Sequence, residues 1–367
     1  MSAVIDRAIA RLDSRGVRQW GAGYVASRAE REHPDPSQPL HLYVCVGDHY
    51  EPNHRRPGLD EQRRRVAVWL QKYPEIAKRH RDTSGRPHVR TFFFPIDEYR
   101  PEHLDQLALL CREGFGDVEV HLHHENDNAS QLRDTLFGFA ETLFRRHGFL
   151  RKNAENGRIE YAFIHGNWAL DNSHPDAKFC GVDDEITVLA STGCYVDMTL
   201  PSAPSPTQTR RVNSIYYARG RAGHAKNHDD GEVLVAGTGR RTLDDHTLLM
   251  VQGPLAPNVR SRKFGVIPRL ETGELSPDVP VDPADRVAVW LDHAPSLRGA
   301  PNHRFLKLHA HGTAPGGEEY FLEPGGGFDR LLTTLEQYCA ANPQCVLHYV
   351  TAWEMVQVIR RLERGEE

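Results

Sequence analysis

Short apolar runs alternating with amphipathic helical stretches constrain this chain more than any other feature. His41-Leu-Tyr-Val-Cys-Val-Gly47 reads as a strand. Val66, Trp69, Leu70, Tyr73 and Ile76 then recur at helical spacing between Leu59 and His80. His88-Val-Arg-Thr-Phe-Phe-Phe94 is the next strand, closed by Pro95. Pro101 opens a helix carrying Leu104, Leu107, Leu110 and Cys111, with Gly114 as its stop. Asp117 to Leu122 is a third strand, and Leu132, Leu136, Phe139, Leu143 and Phe144 mark a third helix before Gly148. Tyr161 to Ile164 is a fourth strand. Strands apolar on both faces and joined by helices require a parallel sheet or barrel.

The rhythm breaks after Ser191. Residues 200–302 carry many prolines and short β-like pieces, Gly231–Val235 and His246–Val251, with no long helical period. They read as an irregular, partly β insertion within a single domain spanning 1–367. Strand and helix return with Arg304–His309, a helix from Phe328 to Ala341, the strand Cys345–Val350 and a helix from Ala352 to Leu362.

Composition removes several function classes. A net charge of -5 gives no general electrostatic case for binding nucleic acid. No run approaches the ~18 apolar residues of a membrane span. The charged start, Met1 to Arg7, reads as an amphipathic helix and not as a signal peptide, so a cytoplasmic location is expected. The six cysteines form no CxxC pair. Histidine is abundant, at 21 of 367 residues, and is the commonest metal ligand.

Active sites of parallel α/β folds gather at the C-terminal ends of strands, and the ligand-type residues fall there. The first strand runs into Asp48-His49-Tyr50-Glu51, the third into His121-Leu-His-His-Glu-Asn-Asp127, the fourth into His165-Gly-Asn-Trp168 and the late strand into His309-Ala-His311. Along the third strand Glu119, His121 and His123 alternate with Val118, Val120 and Leu122, so one face is ionisable and suits a hydrated metal pocket. A hydrogen-bonded polar core is the plainer reading of any one of these histidines. The segment Gly223–Asp230 also holds ligand types, but its place in the insertion reads as a solvated loop.

This set of strand ends resembles the polysaccharide deacetylase (NodB-homology, carbohydrate esterase family 4-like) superfamily. In that family an Asp-Asp pair closes the first strand and a Glu-x-Gly-x-His segment with a further ligand closes the third. Here Asp48-His49 stands in the first place, and Glu119-Val-His-Leu-His123 with Asp127 in the second. Gly193-Cys-Tyr-Val-Asp197 is similar to the wall motif and Leu306-Lys-Leu-His309 to the last motif, whereas the Arg-Pro-Tyr core expected near Trp168 is missing. The run Asp48-His-Tyr-Glu-Pro52, with Leu306–Gly312, is similar to deacetylase-like proteins associated with bacterial surface polysaccharides.

The resemblance implies a distorted seven-stranded (β/α) barrel and a metal-dependent hydrolase removing an N- or O-acetyl group from a saccharide or saccharide precursor. It implies a divalent metal, zinc first, held by His49, His123 and Asp127, with His121, His124 and Glu119 as further candidates. Asp48 would be the general base, and His309 or His311 the general acid; whether Asp48 or His49 is the ligand stays open. Trp168, Asn167, Tyr195 and Asp197 would line the sugar. Two rivals remain: a catalytically inactive sugar-binding barrel, and another metallohydrolase of amidohydrolase or phosphoesterase type. The latter typically places His-x-His on the first strand, not the third. Oligomeric state is open.

Overall fold

A computed structural model describes residues 14–239 and 244–366; the helix expected at Met1–Arg7 lies outside them. The chain is a mixed α/β structure built on one large, mostly parallel sheet. Its strands are β1 (Leu40–His49), β2 (Arg90–Pro95), β3 (Gly116–Leu122), β4 (Arg151–Lys152), β5 (Ile159–His165), β6 (Cys194–Asp197), β7 (Ile215–Arg219), β8 (Glu232–Val233), β9 (Thr247–Val251), β12 (Glu274–Leu275), β13 (His303–Ala310) and β14 (Cys345–Tyr349). Between β9 and β12, the strands β10 (Ala256–Lys263) and β11 (Ile267–Glu271) pair only with each other.

The pairing path runs β12-β13-β1-β2-β3-β5-β6-β9-β7-β8. β1 pairs with β13 along one edge; along the other it pairs with β14 at Leu40–Val44 and with β2 at Gly47–His49. Among the described residues β8 and β12 do not pair, so the hydrogen-bonded path has two ends. The sheet nevertheless curls. One apolar cluster joins Phe305 of β13 to Ile215 and Tyr217 of β7, from opposite ends of the path.

Two cores cover the two faces. The helices Leu59–Arg79, Pro101–Arg112, Ala129–Thr142 and Gly327–Ala341 bury Val66, Trp69, Leu104, Leu136 and Leu335 against Leu42, Val44 and Val46 of β1. On the inner face, Met355, Val356 and Ile359 of the C-terminal helix Ala352–Arg364 pack with Tyr43, Cys45 and Phe93. That helix starts at a capping box in which Thr351 and Glu354 satisfy each other's backbone N–H groups.

The insertion is more ordered than its sequence indicates. β9 continues the main sheet in parallel with β6, and β7 pairs antiparallel to β9. A regular helix, Pro283–His293, also lies within 200–302. Its N-cap Asp282 accepts the Ala284 N–H and Pro283 fills the first position, a start signal that the surrounding prolines obscured.

Candidate metal centre

Strand alternation decides how the Asp48-His49 pair faces. Leu42, Val44 and Val46 point to the helix-side core, and Tyr43 and Cys45 point inward. Asp48 follows the first set and His49 the second. Asp48 is fully buried. Its Oδ2 accepts a 2.6 Å bond from the Arg90 guanidinium, and its Oδ1 accepts the Gly312 N–H at 2.7 Å. Arg90 in turn lies 4.8 Å from the ring centroids of Trp69, Phe321 and Phe328. The His49 ring faces the other histidines, with centroids 4.8 Å from His121, 4.6 Å from His311 and 6.3 Å from His309.

The histidines converge on Glu51. Its Oε1 lies 3.1 Å from His121 Nε2 and 3.6 Å from His123 Nε2, and its Oε2 lies 3.1 Å from His54 Nδ1. The far nitrogens of both imidazoles are also held. His121 Nδ1 donates to the Ile164 carbonyl at 2.7 Å, and His123 Nδ1 lies 3.3 Å from Asp97 Oδ1. Two triplets of ligand atoms, each within 4.8 Å, share Glu51: Glu51–His121–His123 and His49–Glu51–His311.

Electrostatics follow from burial and these contacts. Burial works against the Glu51 carboxylate, but hydrogen bonds from His121 and His54 hold it well below the usual range. Burial, then the neighbouring His311 and His121, keeps His49 well below an ordinary imidazole. Burial lowers His309 and His311 too. His123 goes the other way, since Asp97 outweighs its burial. Burial lifts the nearby Glu98 carboxyl to about 7, against a hydrogen bond from the Asn53 N–H. The residues suit a divalent cation. A carboxylate and two imidazoles oriented by a carbonyl and a second carboxylate form the usual donor set and outer shell of such a site.

The remaining expected residues lie elsewhere. Asp127 joins neither triplet; its Oδ2 pairs with His124 Nδ1 at 3.1 Å, and His124 Nε2 faces Glu185 at 3.1 Å. Glu119 sits deeper on β3, accepting the Tyr195 hydroxyl at 2.8 Å and an Arg151 guanidinium N–H at 3.1 Å, and burial lifts its carboxyl to about 7. Asp197 is fully buried and accepts the Thr199 hydroxyl at 2.7 Å. Tyr195 and Asp197 therefore belong to the interior below the histidines. His309 is buried, with no hydrogen-bond partner at Nδ1. Asn167 is exposed and Trp168 half-buried on the turn after β5, both with positive φ, 53° and 55°. Gly166 permits this turn, because a Cβ there would stand 2.4 Å from His123 Cδ2.

Four residues beside the histidines escaped the sequence reading as site members: Glu51, His54, Asp97 and Glu98. The signal for the last two was an Asp-Glu pair just after the second strand, separated from its closing Pro95 by Ile96 alone. The Gly223–Asp230 segment is also not a solvated loop throughout, since Asn227 and His228 are buried.

No protein-family model matches the chain, and no curated protein matches it in sequence. Among solved structures, a protein described as "putative polysaccharide deacetylase from Mycobacterium smegmatis" overlays 92% of this chain and 96% of its own, with a TM-score of 0.45 and 13% identity. A 4-alpha-glucanotransferase from Thermococcus litoralis overlays 87% of this chain and 40% of its own, with a TM-score of 0.37 and 13% identity. Overlays this loose assign neither a family nor an activity. Among the described residues no helix is long and apolar enough to cross a membrane.

Proposed function

We propose that this chain is a metal-dependent hydrolase that removes an N- or O-acetyl group from a saccharide or saccharide precursor. The observation carrying this reading is the Glu51 carboxylate set between His121 and His123, with the outer nitrogen of each ring already held by Ile164 or Asp97. The acetyl specificity rests on the strand-end resemblance, and the distorted seven-stranded barrel expected from it goes with the same reading.

Glu51, His121 and His123 would hold the cation; zinc suits the donor set. A divalent cation there lowers the pKa of a bound water and polarises the substrate carbonyl. His49 stands between the triplet and His311, with ring centroids 4.8 Å from His121 and 4.6 Å from His311, and takes the proton of the attacking water. His311, more open than the buried His309, stands beside His49 with ring centroids 4.6 Å apart, and the proton that His49 takes passes through it to the leaving amine or alkoxide. Asp48 is a positioning residue: it holds the Gly312 N–H, and so the backbone beside His311. Trp168, half-exposed at the rim, offers its ring to the sugar.

Metal analysis of the purified protein, with acetate release from acetylated saccharides, tests the reading. Glu51→Gln and His123→Ala are expected to lose the cation and the activity together. A full complement of metal in both variants, or turnover unaffected by chelator, overturns it.

A further inference from the structure

A second cluster of ligand atoms gathers where β3 and β5 end and shares no residue with the Glu51 triplets. His124 follows β3, His165 ends β5, Cys180 lies in the loop after it, and Glu185 opens the helix Glu185–Thr192. One ligand atom from each lies within 4.8 Å of the others. His165, Cys180 and Glu185 are fully buried, and the His124 side chain is 7% exposed.

The hydrogen bonds around the cluster set its chemistry. The His165 Nδ1–H donates to the Gly166 carbonyl, and the His124 Nδ1–H donates to the Asp127 carboxylate at 3.1 Å. His165, which burial lowers to about 4, is neutral and turns an Nε2 lone pair toward Glu185 at 3.5 Å; His124, raised against its burial by Glu185 and Asp127, offers its Nε2–H to Glu185 at 3.1 Å. His165 Nε2 is buried with no hydrogen-bond partner. The Cys180 thiol donates to the same carboxylate at 3.5 Å. The cluster thus leaves one buried lone pair, on His165 Nε2, unpaired among three further ligand atoms, which a cation seated between them would satisfy. The outer nitrogens are anchored as metal-bound histidines are, by a carbonyl and a carboxylate.

We propose that His124, His165, Cys180 and Glu185 form a second, closed metal site that takes zinc. Two imidazoles, a thiolate and a carboxylate make a four-coordinate set. Zinc bonds of ~2.0–2.3 Å need only a modest contraction of the cluster. With four protein ligands and no open side, the site is structural. It fastens the ends of β3 and β5, the loop carrying Trp168 and the start of a helix to one point. Cys180 binds as the thiolate and His124 through a deprotonated Nε2, both protons passing to solvent as the metal enters.

The thiolate separates this site from the Glu51 centre, which has no cysteine. Zinc is replaced by cobalt(II) in the wild-type chain and in Glu51→Gln. Both are expected to show a thiolate-to-cobalt charge-transfer band, lost in Cys180→Ser. Zinc content is expected to fall from about two ions per chain to about one in Glu51→Gln, and likewise in Glu185→Gln. If Cys180→Ser does not fold, Glu51→Gln still decides: it must keep about one zinc and the cobalt band. A metal-free Glu51→Gln, a cobalt spectrum without the band, or a band that survives in folded Cys180→Ser overturns the second site. Metal retained in Glu51→Gln together with the band speaks for this site alone, whatever becomes of the Glu51 centre.

Discussion

The Asp48 carboxylate and the Arg90 guanidinium meet at 2.6 Å with neither side chain exposed to solvent. Removing one partner strands the other charge in the helix-side core, which costs about 3–5 kcal/mol. Asp48→Ala is therefore expected to lose that much stability in urea unfolding. The pair Asp48→Leu with Arg90→Met should lose less than Asp48→Ala alone. A double variant weaker than the single would show that the ion pair itself stabilises the fold.

Gly312 is the second support of His311. A Cβ there would stand 2.4 Å from both Asp48 Oδ2 and Trp69 Cζ2, two buried groups with no room to withdraw. Gly312→Ala is expected to destabilise the chain by about 1–3 kcal/mol and to lower kcat by displacing His311. Thermal melts and initial rates on the same preparations check both parts.

At the opposite end of the strands His41 and Tyr43 each stack with both His303 and His348; His41 Nδ1 and His348 Nε2 are 3.0 Å apart. Burial, then the neighbouring His41 and His348, lowers His303 to about 4, and burial also lowers His41 and His348. The unfolded chain thus takes up protons that the folded chain refuses, so acid favours unfolding. Stability from this stack should fall as pH drops from the ordinary histidine value near 6.5 toward 4, and level off below it. Unfolding midpoints for wild type and His303→Gln, compared across that window, are expected to converge as pH falls.

Trp168 is held with φ at 55°, a conformation that bulky residues seldom adopt outside functional sites. Trp168→Ala is expected to raise KM for a saccharide substrate about tenfold, or about 1.4 kcal/mol, with kcat little changed. An unchanged KM would return Trp168 to the role of a rim residue without substrate contact.

The architecture was legible wherever period and burial agreed. The first strand, read as His41–Gly47, is observed as Leu40–His49, and the helix read from Leu59 to His80 is observed as Leu59–Arg79. The positions of His49, His121, His165 and His309 were legible for the same reason: each lies in the last residues of an unmistakable strand. Which of Asp48 and His49 faces inward was not, because β1 is buried on both faces and its apolar pattern does not distinguish them. Glu51 escaped because it lies past the strand, in a turn where periodicity no longer reports direction. Cys180 and Glu185 meet His124 only through tertiary folding of the loop after β5, and no local spacing announces that encounter.

The C-terminal helix has a consequence for traffic through the molecule. Its Met355, Val356 and Ile359 fill the inner face beside Tyr43 and Cys45, well below the histidines. The inner face of the curled sheet is thus filled from the side of this helix. On the proposed reading, a polymeric saccharide would be gripped by an end or laid across the rim. On the same reading, product would leave by the rim at which substrate arrives, so a slowly departing product would compete directly with the next molecule to enter.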